Sequence, residues 1–236
     1  MTPRQAIPLE WTARLGTGAL TLGHDIATTT KGTSNWSTLA VMEHLSPLYI
    51  IRLLARWRTA KPEHNLDFLD AVISDIEASG RRPRRLCVDA SNEKYHADRI
   101  RSFFIGRVPV DLVVAGEKID WRGESYDYKT LLGDLYSAAF EDNLMALPSG
   151  IWIRDDHRLV GKEGARYVTE LGKDGGHGDT FDAGKLAYWG QVNKAPLSPG
   201  SIRALQVGDP FGKSKPGSSI RNPLGHLFKQ PPSFRA

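Results

Sequence analysis

The sequence predicts an α/β fold in which a mixed central β-sheet, three antiparallel strands followed by parallel strands, is flanked by α-helices. Three observations predict it. Strand-period segments crowd the first quarter of the chain with short connections, helical-period segments then alternate with short apolar runs, and no internal repeat interrupts the series. The 236 residues, 40% hydrophobic, suffice for one sizeable core. No stretch approaches the roughly 18 uninterrupted apolar residues of a membrane helix. Met1 is followed by polar Thr-Pro-Arg-Gln and not by a signal-type apolar run, so a cytoplasmic protein without membrane contact is expected. Cys87 is the single cysteine, which excludes an internal disulfide and a multi-cysteine zinc site. Between Leu86 and Val88 it reads as a small buried hydrophobe.

From Ala19 to Ala27, Leu20, Leu22 and Ile26 alternate with Thr21, Gly23 and Asp25, the period of a strand, and Asp25 falls near its end. Residues Thr28 to Trp36 read as a turn, Thr38 to His44 as a second strand and about Tyr49 to Trp57 as a third, an antiparallel meander. Pro62 suits a first helical turn, and Leu66, Leu69, Val72, Ile73 and Ile76 then recur at helical spacing before Gly80. Leu86-Cys87-Val88 predicts a short buried strand closing on Asp89, with Ser91-Asn92 as caps for a helix from near Glu93. Asp111 to Ala115 reads as another strand. Tyr128, Leu131, Leu132, Leu135, Tyr136 and Ala139 give a long amphipathic helix ending before Pro148-Ser149-Gly150. Ile151 to Leu171 fits neither period. Gly172 to Gly178 is a glycine-rich loop, and Asp179 to Gly190 reads as a helix with Asp179 in its first turn.

Three acids therefore stand at chosen places: Asp25 on the first strand, Asp89 at the end of the fourth, Asp179 at the start of the last helix. If the first and fourth strands are neighbours, the two strand carboxylates converge, and a helix crossing that edge can add the third. Packed carboxylates repel and raise one another's pKa until a cation compensates them. Hard Mg²⁺ or Mn²⁺ takes oxygen ligands, and two such ions roughly 4 Å apart activate a water and stabilise the leaving oxygen of a phosphodiester. Singly, each aspartate also suits a cap or a turn, so the combination carries the reading.

This order of elements and acids resembles the ribonuclease H-like nucleases, and within them the nuclease domains of phage terminase large subunits. Gly23-His24-Asp25-Ile26-Ala27 looks like their first metal-binding strand and Cys87-Val88-Asp89-Ala90-Ser91 like their second. The segment from His177 to Ala187, a His-x-Asp before an Ala/Leu-rich helix, is similar to their closing motif, and Lys129 to Pro148 to the helix between the second and third acids. The resemblance covers about residues 18 to 190. It implies a metal-dependent endonuclease for double-stranded DNA, with Asp25, Asp89 and Asp179 as catalytic metal ligands and two Mg²⁺ or Mn²⁺ ions. It also implies a packaging ATPase domain, a small terminase subunit and a portal as partners, in host cytoplasm if the protein is viral. Asp182, one turn after Asp179, is a second candidate for the third ligand or an auxiliary one; Asp179 is favoured because it directly follows His177-Gly178. No Gly-x-x-x-x-Gly-Lys-Ser/Thr loop occurs, so an excised or separately encoded nuclease without its motor is expected.

His24 and His177 flank these ligands, where they suit positioning of water or a plain structural role. Lys31, Lys129 and the run Arg81, Arg82, Arg84 and Arg85, read as a loop, are candidates for DNA phosphates. Trp36, Trp57, Trp121, Trp152 and Trp189 read as packing residues, since none is regularly interleaved with cations. Residues 1–17 read as an N-terminal extension and 18–190 as the nuclease domain. Residues 191–236 hold half of the chain's fourteen prolines and seven Lys or Arg against Asp209 alone, an extended or disordered basic arm that is either a polyanion contact or a solvated tail. Three other readings stay open: a different ribonuclease H-like nuclease or resolvase, an actin-like-fold phosphotransferase suggested by Asp25-Ile26-Ala27-Thr28-Thr29-Thr30-Lys31, and a non-catalytic DNA-binding module.

Overall fold

The computed structural model describes residues 7–28 and 36–193. Lys31 and the basic arm from Lys194 onward lie outside the described residues. Strand β1 (Ala19–Asp25) pairs antiparallel with β2 (Ser37–Leu45), which pairs antiparallel with β3 (Leu48–Trp57). After helix α1 (Pro62–Ala78), β4 (Pro83–Asp89) returns parallel to β1, and after α2 (Lys94–Phe103), β5 (Val110–Val113) adds parallel to β4. The expected three antiparallel strands followed by parallel ones are thus present. The hairpin of β6 (Lys118–Trp121) and β7 (Glu124–Asp127) leads into α3 (Tyr128–Glu141), and β8 (Met145–Ala146) joins the far edge parallel to β3. The sheet order is β5-β4-β1-β2-β3-β8. Helix α4 (Ile151–His157), a hairpin of β9 (Val160–Glu163) and β10 (Arg166–Thr169), and α5 (Asp179–Val192) complete the fold.

The alternation of side chains divides the sheet into two faces. Leu20, Leu22, Leu39, Val41, Leu86 and Val88 meet Leu66, Leu69, Val72, Ile73 and Ile76 of α1 and Ala97 and Ile100 of α2. Each such fully buried aliphatic side chain contributes on the order of 2 kcal/mol. Ala40, Met42, Ile51 and Leu54 face the other way, toward α3, α4 and α5. Helix α5 is buried along most of its length because it lies between the sheet and α3. Small residues make that approach possible: a Cβ on Gly23 of β1 would stand 2.1 Å from the Ala183 carbonyl oxygen.

Several local expectations need correction. Ile151 to Leu171, which fits no single period, is α4 plus a hairpin, two periods in succession. Ser91 and Asn92 do not cap α2: Glu93 holds the N-cap position without a side-chain bond, and the Ser91 Oγ instead accepts from the Ala115 amide at 2.8 Å. The arginine run is only half a loop: Arg81 and Arg82 precede β4, whereas Arg84 and Arg85 lie within it. The β6–β7 hairpin was not anticipated; its turn is Arg122-Gly123, both at positive φ, the backbone that Asn-Gly usually announces. No helix among the described residues is long and apolar enough to cross a membrane.

Candidate metal centre

Asp25 ends β1 and Asp89 ends the parallel β4, so both sit at one end of the sheet. Their flanking residues fix the face. Leu22 and Val88 point toward α1, whereas Gly23 packs under α5 and Cys87 lies with Leu186 and Trp189, so the next residue in each alternation, Asp25 or Asp89, faces α5. The Asp89 Oδ1 accepts from the Ser91 amide at 2.8 Å, which fixes the carboxylate as the chain leaves the strand.

Asp179 and Asp182 approach from the first turn of α5. Asp179 is buried, and its Oδ2 accepts from the amides of Trp36 and His177, each at 3.4 Å. Gly178 enters the helix at φ 74°, a left-handed conformation that glycine adopts without strain. Asp182 is hydrogen-bonded to the Lys185 ammonium one turn on. It is therefore the acid with a cation of its own, whereas the Asp179 carboxylate is held by backbone amides.

The electrostatics agree with the geometry. Asp25 keeps some side-chain exposure, yet desolvation of its carboxyl is the largest influence raising its pKa well above the ordinary carboxylate value. Repulsion from Asp182, Asp89 and Asp179 adds to the rise, and Lys185 opposes it. Burial, then repulsion from Asp156, pushes Asp179 up to about 6, against the lowering effect of its two amide donors. Among the described residues no three His, Cys, Asp or Glu side chains are already drawn together as a ready-made ligand set. The donor chemistry is nonetheless that of a hard divalent cation: carboxylate oxygens in mutual repulsion, with Lys185 the cation that relieves Asp25.

Asp156 of α4 escaped the sequence reading because it lies in the segment of mixed period. It is buried, and its Oδ2 accepts from the Thr180 amide at 2.8 Å and the Thr180 hydroxyl at 2.5 Å, capping α5 from a neighbouring helix. The Thr180 hydroxyl also lies 2.7 Å from His157 Nδ1, and His157 Nε2 lies 3.2 Å from the Tyr136 hydroxyl. With the Thr180 proton given to Asp156, His157 donates from Nδ1 and accepts from Tyr136 at Nε2. Burial lowers His157 to about 4, which keeps the ring neutral, and the Ile153 carbonyl 3.1 Å from Nδ1 favours the proton on that nitrogen. The chain of bonds joins α3, α4 and α5 beneath Asp179.

Other anticipated residues divide by location. His24 is fully buried on the α1 face, stacked on Trp57, with Nδ1 3.0 Å from the Thr38 carbonyl and burial lowering its pKa to about 4. It is a core residue on the opposite face from Asp25. His177 is half-buried beside Asp179 and touches it through its backbone amide. Lys129 is exposed at the start of α3, its amide bonded to Ala115 just past β5, on the acidic end of the sheet. The arginine run lies at the other end, where β4 begins, roughly 20 Å of strand away from Asp89. Arg85 is buried and paired with Asp111 at 2.7 Å, and Arg81 is bonded to Glu43 and the Gly18 carbonyl. Arg85 is thereby corrected to a structural ion pair; Arg82 and Arg84 are exposed. Cys87 is buried, and burial pushes its thiol pKa up. Trp57 stacks on Phe68 and Trp189 packs with Trp121 as expected. Trp36 and Trp152 instead bracket arginines: Arg56 lies 4.6 Å from the Trp36 ring centre and 4.5 Å from that of Trp152, and Arg58 lies 3.8 Å from Trp36.

No family model matches the chain. Among solved structures it is similar to the large terminase nuclease from thermophilic phage G20c with bound magnesium, with a TM-score of 0.53 and 16% identity over 72% of this chain and 80% of that one. It is also similar to a mutant nuclease domain of the large terminase subunit of bacterial virus Sf6 with manganese and beta-thujaplicinol, with a TM-score of 0.52 and 8% identity over 79% and 93%. A large terminase from a thermophilic bacteriophage in complex with ADP gives a TM-score of 0.51 and 12% identity over 75% of this chain and 40% of that one. These likenesses show the fold, which is the ribonuclease H-like fold of terminase nuclease domains. In sequence, the chain is 32% identical over 148 residues to phosphoribosylformylglycinamidine synthase subunit PurL of Carboxydothermus hydrogenoformans. It spans only 18% of the length of that curated relative.

Proposed function

We propose that this chain is a divalent-metal-dependent endonuclease that hydrolyses phosphodiester bonds of double-stranded DNA, the nuclease part of a terminase large subunit. The observation that carries the reading is the acidic end of the sheet, compensated only in part by Lys185, where desolvation and three neighbouring carboxylates raise Asp25 in a fold shared with terminase nucleases. Asp25, Asp89 and Asp179 would hold Mg²⁺ or Mn²⁺, with Asp182 as an auxiliary ligand that Lys185 otherwise neutralises. Two bound ions would supply an activated water and charge stabilisation at the leaving 3′ oxygen.

The chain's own residues do the rest. Asp89 is oriented by the Ser91 amide, and Asp179 by the amides of Trp36 and His177, so neither carboxylate has to be ordered when a cation arrives. The Asp156–Thr180–His157–Tyr136 chain fixes the turn from which Asp179 projects. Lys129 stands at the same end of the sheet to meet a phosphate. Cutting with little sequence preference follows, because metal chemistry and phosphate contacts need no readout of base edges. Choice of cutting site then falls to partners: an ATPase portion, a small subunit and a portal. The thermophilic bacteriophage terminase described with ADP is larger than this chain, which supports a separate motor portion.

Supercoiled plasmid incubated with Mn²⁺, Mg²⁺ or chelator tests this, with Asp89→Asn alongside. Metal-dependent nicking that falls roughly a thousandfold in the variant is expected, since a bound ion supplies several kcal/mol of transition-state stabilisation. Tight DNA binding that survives chelation, with no cleavage in any lane, would move the assignment to a non-catalytic binding module.

A further inference from the structure

We infer that Arg56, Trp36, Arg58 and Trp152 form a clamp for a phosphate of the DNA strand being cut, and that Asp174 occupies the clamp in the free protein; the inference rests on the nuclease reading. Asp25 lies opposite Thr38, and Thr38 lies opposite Arg56. Directly paired residues share a face, and adjacent strands are about 4.8 Å apart, so the Arg56 backbone stands about 10 Å from that of Asp25 on the α5 side. Arg58, just past the end of β3, lies over the same Trp36 ring. At about 3.4 Å of axial rise per nucleotide, that offset corresponds to about three nucleotides from the acids.

The four groups form a ladder. Both guanidiniums lie over the Trp36 ring, at 4.6 and 3.8 Å, and that of Arg56 also lies over the Trp152 ring, at 4.5 Å. Stacking holds each guanidinium plane and leaves its N–H edge for an anion, so phosphate binding there orders little that is not already ordered. The ladder is tied to the acids through the Trp36 amide, which donates to Asp179. Two of its donors, Arg58 Nε and Trp36 Nε1, are buried without a partner among the described residues.

The acid that meets the ladder is not one of the cluster at the sheet end. Arg56 pairs with the Asp174 carboxylate at 2.8 Å, and Arg58 donates to the Asp174 carbonyl at 3.0 Å. Asp174 belongs to the glycine-rich loop before α5, and its side chain is 49% exposed against 18% for Arg56. It therefore covers the guanidinium from the solvent side, the side from which a strand must come. Carboxylate and phosphate offer the same paired oxygens to an arginine edge. An ion pair made only to neutralise the acidic cluster would instead direct the guanidiniums at Asp179 or Asp25.

Binding of a labelled DNA duplex, measured by fluorescence anisotropy in chelator over a range of salt, tests the clamp separately from cleavage. Asp174→Ala is expected to bind several-fold more tightly than the wild type, because it removes the competing anion. Arg56→Ala with Arg58→Ala is expected to bind at least tenfold more weakly and to lower the slope of log affinity against log salt by about 1, the loss of one phosphate contact. Asp174→Ala sits on a half-exposed loop residue and remains informative if the double variant does not fold. Unchanged or weaker binding by Asp174→Ala, or a wild-type salt slope in folded Arg56→Ala/Arg58→Ala, overturns the clamp. Plasmid cleavage by the wild type is scored in parallel: its failure bears on the nuclease assignment, while the binding series alone decides the clamp.

Discussion

The two ends of β1 and β4 handle buried charge in opposite ways. Where the strands begin, the fully buried Glu43 carboxylate accepts from the amides of Gly16 and Gly18 and pairs with Arg52 and Arg81, while Arg85 pairs with Asp111. Where they end, Asp25 faces Asp89, Asp179 and Asp182, and Lys185 is the cation that relieves it. Both ends bury carboxylates, Glu43 at one and Asp179 at the other. Removing one partner of a buried, paired charge is strongly destabilising, whereas like charges gathered at a strand end repel one another, so losing one should cost little.

Neutralising one acid at each end should break the symmetry of that description. Glu43→Ala leaves Arg52, Arg81 and two amides without their acceptor and is expected to cost about 3–5 kcal/mol in urea unfolding. Asp25→Asn removes a repelled charge and is expected to stabilise the chelated protein by about 1 kcal/mol, a melting shift of a few degrees upward. Destabilisation by both would erase the distinction.

The pH dependence sharpens the same contrast. The folded protein holds the Asp179 proton up to about 6, against an ordinary value of 3.8, so between these values the native state binds more protons than the unfolded one. This group's contribution is fully present below about pH 4 and is lost as pH rises through about 6. His157 and His24, both lowered to about 4, act in the opposite sense: their contribution is present above about pH 6.5 and lost as pH falls toward 4. The melting temperature of Asp179→Asn relative to the wild type isolates the first effect. The difference should move in favour of the variant between pH 4 and 6 in chelator, and a flat difference would show that Asp179 is not held protonated.

Much of the acidic end was legible in the sequence because it depends on strand alternation and strand termini. Asp25 and Asp89 close two apolar runs, and parallel pairing of those runs is enough to bring them together. The third acid was narrowed to Asp179 or Asp182, but their different partners, amides for one and Lys185 for the other, exist only in three dimensions. Asp156 was hidden for a related reason: it caps a helix 24 residues later in the chain, so no local capping pattern announces it. The arginine run misled in part because a dense charge run reads as a solvated loop, whereas a strand starting at Pro83 leaves Arg84 exposed and takes Arg85 inside with Leu86, Cys87 and Val88. Arg56 and Arg58 carried no signal in the sequence because the relation of Arg56 to Asp25 is one of cross-strand register, and their contacts with Trp36 join positions more than fifteen residues apart.

The central claim, that the repelling carboxylates at the strand ends exist to hold divalent cations, is tested most directly by calorimetric titration of Mn²⁺ into the wild-type protein and Asp25→Asn. Saturable binding to the wild type that weakens at least tenfold in Asp25→Asn, while the variant melts at or above the wild-type temperature in chelator, is the predicted result. Equal binding by both proteins, or no binding by a folded wild type, would contradict it.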